Sequence, residues 1–322
     1  MVKKKDTNKN LCGWIPPDQR TRTQSNAHQA ALLSMPKFNI IGRTDGSVDK
    51  VFLFDLWKHD LVKNALGYSY DGMHQLTGSC VGVGGGNVIF SVIAVDSILR
   101  GDRESIVIPF WLIPYGRSRY YCGMTSPGEG SMGSAFAKAA KEDGVLDAKQ
   151  SGLPTFNNSD GLIWGEKTEY SWSDGDAQQT MKLLPESRKH LIKTTAQCNN
   201  SDQVREALIN GYPCTCASSW GGLMQCSVTE GVLLNRRTGT WNHQQSIQGW
   251  WNHPKLGEIF YIMNQWGKGA HGKCPSGAPE GGYWIKKGEV DWMCNDGQEV
   301  FAFSQFEGFP SQTLPKELFK II

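Results

Sequence analysis

The first 35 residues carry almost no apolar periodicity. They are rich in Lys, Asn, Gln and Thr, contain Pro16-Pro17, and are expected to form an extended polar arm rather than a packed element. From about 38 to 56 short apolar runs alternate with turn residues, and 60–67 reads as a short helix. The longest apolar run, Asn87 to Leu99, predicts a buried helix ended by Arg100-Gly101. It follows Val81-Gly82-Val83-Gly84-Gly85-Gly86. Each glycine weakens a helix by about 1 kcal/mol relative to Ala, so this cluster predicts close approach of another backbone or of a substrate. A second helix is expected over 131–143, stopped by Gly144, and a third over 202–210. Residues 147–175 are polar and loop-like. Strand-like segments follow at 212–218 and 222–234, and from 241 onward short β-rich runs alternate with Gly and Trp. Helices first and strands later predict an α+β chain of two lobes, without internal repeats.

The chain has 322 residues and a net charge of +2. That length suffices for one large domain or two lobes sharing a cleft. Near-neutrality argues against nucleic acid or an anionic membrane as partner. No stretch approaches the ~18 consecutive apolar residues of a membrane span. The basic start Lys3-Lys4-Lys5 is followed by Asp6-Thr7-Asn8 instead of an apolar signal core, so classical secretion is not expected, and a cytoplasmic or virion-associated location is. Nine cysteines are an odd number in a chain that needs no staples, and reduced, buried thiols are expected. Cys214-Thr215-Cys216 has no second pair at ligand spacing, so no metal is expected. No residue cluster calls for an organic cofactor.

Three segments carry candidate chemistry: Gly78-Ser79-Cys80, Asn242-His243 with Gly249, and Asn264-Gln265-Trp266-Gly267. A thiol, an imidazole and an amide in that order are the parts of a cysteine nucleophile, its base and the group that orients the base. A free thiol titrates near ~8.5, and a helix N-terminus or an imidazolium lowers it. Cys80 precedes a helix, and His243 is a candidate second influence. Asn264 is suited to fixing the imidazole tautomer. His253 lies nearby, but the glycine six residues after His243 favours His243. His271 and Cys274 receive no role. The Trp residues at 250, 251, 284 and 292 are expected in core packing, with one of them a candidate shield for the Asn–His contact.

With these residues in view, the chain resembles the papain-like cysteine peptidases over residues 50–305. Gly78-Ser79-Cys80 resembles the nucleophile motif, His243 with Gly249 the His-x5-Gly strand, and Asn264-Gln265-Trp266-Gly267 the Asn-Ser-Trp-Gly motif. Gly281-Gly282-Tyr283-Trp284-Ile285 through Gly288 is similar to the following Gly-Tyr-x-x-Ile-x-x-Gly strand. Gly130, Ser131 and Met132 are similar to the glycine-rich substrate wall. The resemblance implies a helical lobe (36–150) carrying Cys80, a β-barrel-like lobe (151–322) carrying His243 and Asn264, and a cleft between them. It also implies hydrolysis of a peptide or protein substrate.

Departures accompany the resemblance. Thr77 and Val81 stand where the family has a cysteine and an aromatic, so the family disulfide is expected to be absent. The oxyanion-hole glutamine is expected at Gln75, although His74 occupies the family's register. His243 and Asn264 lie farther downstream than the about 130–150 residues usual for the family. The short N-terminal stretch argues against a family-type zymogen. Two other readings stand beside the peptidase. One is a weak or inactive papain-fold structural component, such as part of a phage or virus particle, whose arm binds assembly partners. The other is a related thiol amidase or transferase acting on cell-wall peptides.

Overall fold

The apolar run after Cys80 forms the central helix of the protein, whose computed structural model describes residues 11–41, 48–156, 164–275, 277–295 and 297–314. In chain order the elements are helix α1 (Arg22–Leu33), strands β1 (Ile40–Ile41) and β2 (Lys50–Phe52), and helices α2 (Asp60–Leu66), α3 (Cys80–Arg100), α4 (Leu112–Tyr121), α5 (Gly133–Glu142), α6 (Glu166–Ser171) and α7 (Gln178–Ser187). Then come β3 (Thr194–Gln197), α8 (Ser201–Ile209), β4 (Cys214–Gly222), β5 (Ser227–Thr229), β6 (Val232–Leu234), β7 (Arg237–His253), β8 (Gly257–Met263), β9 (Gly282–Lys286), α9 (Lys287–Met293), β10 (Glu299–Ser304) and β11 (Phe309–Pro310).

Helix α3 is long and apolar enough to cross a membrane, yet its most apolar window is 94% buried inside the protein. It starts at Cys80 itself and takes the glycine run into its first turns. The expected close backbone approach occurs at Gly84, where a Cβ would lie 3.2 Å from Gln244 O, while a Cβ on Gly85 would lie 2.0 Å from the ring of Phe136. The sheet runs β3-β10-β4-β7-β8-β9-β6-β5, with β2 added to β7. Its centre is β7, which pairs antiparallel with β4 through Ser218 opposite His243, and with β8 through Ser246 opposite Met263. Helix α3 packs on β7 and β4, so the nucleophile end of the helix meets the histidine strand. The architecture is the expected α+β one.

Two expectations need correction, and one helix arises where none was expected. Residues 22–33 are not extended: Thr21 accepts from Gln24 N–H while the Gln24 side chain accepts from Thr21 N–H, a capping box that starts α1. Helix α4 forms where no element was read; Pro114 sits within its first turn, where a missing N–H costs no helical bond. The 147–175 stretch is not all loop, because α6 lies within it, and part of it (157–163) lies outside the described residues. All nine cysteines are free thiols.

Candidate active site

Cys80 is the first residue of α3 and is fully buried. Its Sγ accepts the backbone N–H of Gln244 at 3.4 Å, and the Gln244 side-chain amide donates to Val81 O at 2.8 Å. These two bonds staple the helix start to β7 beside His243. The His243 ring is 1% exposed, and its Nε2 lies 2.7 Å from Asn264 Oδ1. Gln265 N–H also donates to that oxygen, at 2.8 Å. Since a backbone N–H can only donate, Asn264 Oδ1 is an acceptor and His243 carries its proton on Nε2. Its Nδ1 is left buried without a hydrogen-bond partner. The structure thus joins the imidazole to the amide by a hydrogen bond and holds the thiol against the backbone of the next residue after the imidazole.

Burial dominates the electrostatics. It pushes the Cys80 thiol up to about 12, against a smaller opposing pull from the N–H of Gln244. Burial also lowers His243 to about 3, only partly opposed by the bond to Asn264. As described, the pair is a neutral thiol beside a neutral imidazole.

The loop before the nucleophile is held by a carboxylate that the sequence reading did not single out. Glu169 of α6 is buried and accepts from Leu76 N–H (3.2 Å), Thr77 N–H (3.1 Å), Thr77 Oγ1 (2.7 Å) and Ser79 Oγ (2.7 Å). Thr77, standing where the family has a cysteine, is therefore tethered by hydrogen bonds. Desolvation raises the Glu169 pKa and these donors oppose it. Of the two oxyanion-donor candidates, Gln75 meets the 11–15 segment: its Nε2 donates to Thr77 O at 2.8 Å and to Leu11 O at 2.7 Å. His74 instead accepts from Gly267 N–H at 3.2 Å. Trp266 covers the His243 ring at 4.7 Å and is backed by Trp241 at 4.8 Å, so the shield comes from these two rather than from the other tryptophans.

The chain's own residues 11–15 bond to residues around this site. Ile15 N–H donates to Ser131 O (3.0 Å), Ser131 N–H to Gly13 O (2.8 Å) and Trp14 N–H to Asn242 O (3.1 Å). Leu11 O accepts from the Gln75 side-chain amide. Gly13 is obligatory at its site: a Cβ there would lie 1.8 Å from Gly78 O. Of the wall residues, Ser131 binds this segment through its backbone. Gly130 donates to Gly78 O at 3.1 Å, and Met132 is buried in a small cluster against which Ile15 packs.

A second buried carboxylate anchors the segment. Glu299, at the start of β10, accepts from Trp14 Nε1 (2.7 Å), Gly133 N–H (2.7 Å) and Ser134 Oγ (2.9 Å), with His28 Nδ1 at 2.7 Å and an Arg20 guanidinium nitrogen at 3.2 Å. Burial acts to raise its pKa, but His28, Arg20 and Trp14 outweigh that and hold it at about 2. Neither anchor was legible, because a single glutamate far from any motif carries no sequence signal. The described residues hold no group of three or more His, Cys, Asp or Glu able to bind a metal.

No family model and no curated protein matches the sequence. Solved structures do. The chain is similar to xylellain, a cysteine protease from Xylella fastidiosa, with 15% identity, 93% of this chain and 98% of that chain covered, and a TM-score of 0.53. It is also similar to procathepsin B S9 from Trypanosoma congolense, with 12% identity, 90% of each chain covered and a TM-score of 0.52. At such identities the likeness concerns architecture: the chain has a papain-like cysteine-protease fold in a divergent form.

Proposed function

We propose that the protein is a thiol peptidase held closed by its own N-terminal segment. The observation that carries this reading is a peptide already lying in the cleft. Residues 11–15 run extended past Cys80 and bond through their backbone to Ser131, Asn242 and Gln75. A surface that holds an extended polypeptide by backbone bonds, beside a thiol, an imidazole and an amide, suits peptide substrates.

Once the segment leaves, water enters and the desolvation that keeps the pair neutral is relieved. The Cys80 thiol passes its proton to His243 Nδ1, and the sulfur attacks the scissile carbonyl carbon. The resulting oxyanion is stabilised by the Gln75 amide and the Cys80 N–H. Collapse breaks the C–N bond, and His243 returns the proton to the leaving amine. Water, deprotonated by the same imidazole, then hydrolyses the thioester and regenerates the thiol.

The assembly-component reading drew on the departures around Cys80, on the absence of a pro-domain and on an arm reaching a neighbour. Residues 11–33 instead pack on their own body, which supports the peptidase reading better. The test is peptide hydrolysis by the full chain carrying Gly13→Ala, with and without Cys80→Ala. Cleavage that disappears with Cys80→Ala is expected; undiminished cleavage would sink the proposal.

A further inference from the structure

His271 lies outside every motif, yet it is fully buried and touches the site. Its Nε2 lies 2.6 Å from Asn264 Nδ2, and its Nδ1 lies 3.2 Å from Leu223 O. Cys226 N–H donates to His271 O at 2.9 Å, which ties its backbone to the same 223–226 turn. The ring is enclosed by Tyr283 at 4.7 Å, Trp241 at 5.8 Å and Trp266 at 5.9 Å, so protein groups rather than water satisfy both nitrogens.

The partners fix every proton along this row. Leu223 O can only accept, so His271 carries its proton on Nδ1 and leaves a lone pair on Nε2. That lone pair takes the Asn264 amide N–H and turns Asn264 Oδ1 towards His243. Oδ1 takes the His243 Nε2–H, which leaves the lone pair of His243 on Nδ1, the atom that receives the thiol proton. Gln265 N–H, donating to the same Oδ1, holds the amide in the same sense from the other side. A reversed amide would present N–H groups to His243 Nε2, move the ring proton to Nδ1 and leave no base for the thiol.

We propose that His271 is a positioning residue that sets the direction of the Asn264 amide, and through it the tautomer of His243. The role rests on the peptidase reading for its purpose but not for its test. His271 does not touch the reacting atoms; it acts through Asn264.

The experiment is nitrogen-15 spectroscopy of histidine-labelled full-length protein near neutral pH, for the wild type, His271→Leu and His271→Gln, alongside kcat and KM for peptide hydrolysis in the Gly13→Ala background. In the wild type, His271 is expected as the Nδ1–H form, the less common tautomer of free imidazole, and His243 as the Nε2–H form. His271→Leu leaves the amide without its acceptor. It is expected to mix the His243 tautomers and to lower kcat about tenfold with KM within about twofold. In His271→Gln the side-chain oxygen takes the place of Nε2, and recovery of both the tautomer and most of kcat is expected. The proposal is overturned by a wild-type spectrum with the proton on His271 Nε2 or His243 Nδ1, or by an unchanged His243 tautomer in His271→Leu. It is equally overturned by a His271→Gln variant that behaves like His271→Leu. Should His271→Leu fail to fold, the wild-type and His271→Gln spectra decide. Should no variant cleave peptide, the peptidase reading fails, and the spectra still decide the role of His271.

Discussion

The protein buries two polar clusters of opposite character. The row His243–Asn264–His271 is neutral: burial lowers His243 to about 3 and His271 to about 4, and the proton positions are set by acceptors and donors that carry no charge. The cluster around Glu299 is charged: the same degree of burial is overcome by Arg20, His28 and Trp14, and the carboxyl stays at about 2. Burial sets the cost of a charge, and the partners decide whether the charge exists. The neutral row suits a base that must exchange a proton. The charged cluster suits an anchor that must not let go, and it holds Trp14 of the 11–15 segment.

The sharpest way to break this contrast is to remove the charge from one side. Glu299→Ala leaves Arg20 without its buried counter-charge. It is expected to destabilise the fold by about 3–5 kcal/mol in chemical denaturation and to free the segment, read as faster alkylation of Cys80. Unchanged stability would mean that the cluster is not charged.

The pH dependence of stability separates the clusters next. Both His243 and His271 have folded pKa values below 6.5, so the unfolded chain binds protons first and stability falls as pH drops from 6.5 through about 4 to about 3. Glu299 is likewise depressed, from 4.5 to about 2, so its share, about 3 kcal/mol by the size of that shift, is present above 4.5 and lost only as pH falls towards about 2. Two descending limbs are expected in urea titrations against pH. His271→Gln should weaken the upper limb and leave the lower one.

A smaller effect, about 1–3 kcal/mol, is expected for Glu169→Gln, which trades a carboxylate accepting from four donor groups for an amide that reproduces only part of the set. The loss should appear as slower Cys80 chemistry in the Gly13→Ala background together with the drop in stability. Gly13→Ala sharpens the comparison most gently. Its Cβ would meet Gly78 O at 1.8 Å, and relieving that overlap by displacing the segment costs about 1–3 kcal/mol of closure, read as roughly tenfold or greater exposure of Cys80.

The legible parts of the molecule were those with local signals. Cys80, His243 and Asn264 stand in recognisable neighbourhoods, and Gly101 and Gly144 end their helices as read, both in left-handed conformation. Helix α1 was in fact written in Thr21-Arg22-Thr23-Gln24, a capping signature hidden by the polar composition around it. The course of residues 11–15 was not legible, because the bonds of their backbone to Gln75, Ser131 and Asn242 and of the Trp14 indole to Glu299 join positions more than 60 apart. Nor was His271, a single histidine in a glycine-rich loop whose partners, Leu223 O and Asn264, meet it only once the strands are assembled.

The measurement that bears most directly on the central claim is covalent labelling of the full-length protein near neutral pH with a peptidyl epoxide, located by peptide mass spectrometry, for wild type, Gly13→Ala and Gly13→Ala with His243→Ala. A closed thiol peptidase should label slowly at Cys80 in the wild type, about tenfold faster in Gly13→Ala, and no faster than at its other cysteines once His243 is removed. Labelling of Cys80 in Gly13→Ala at the same rate as the other eight cysteines would contradict it.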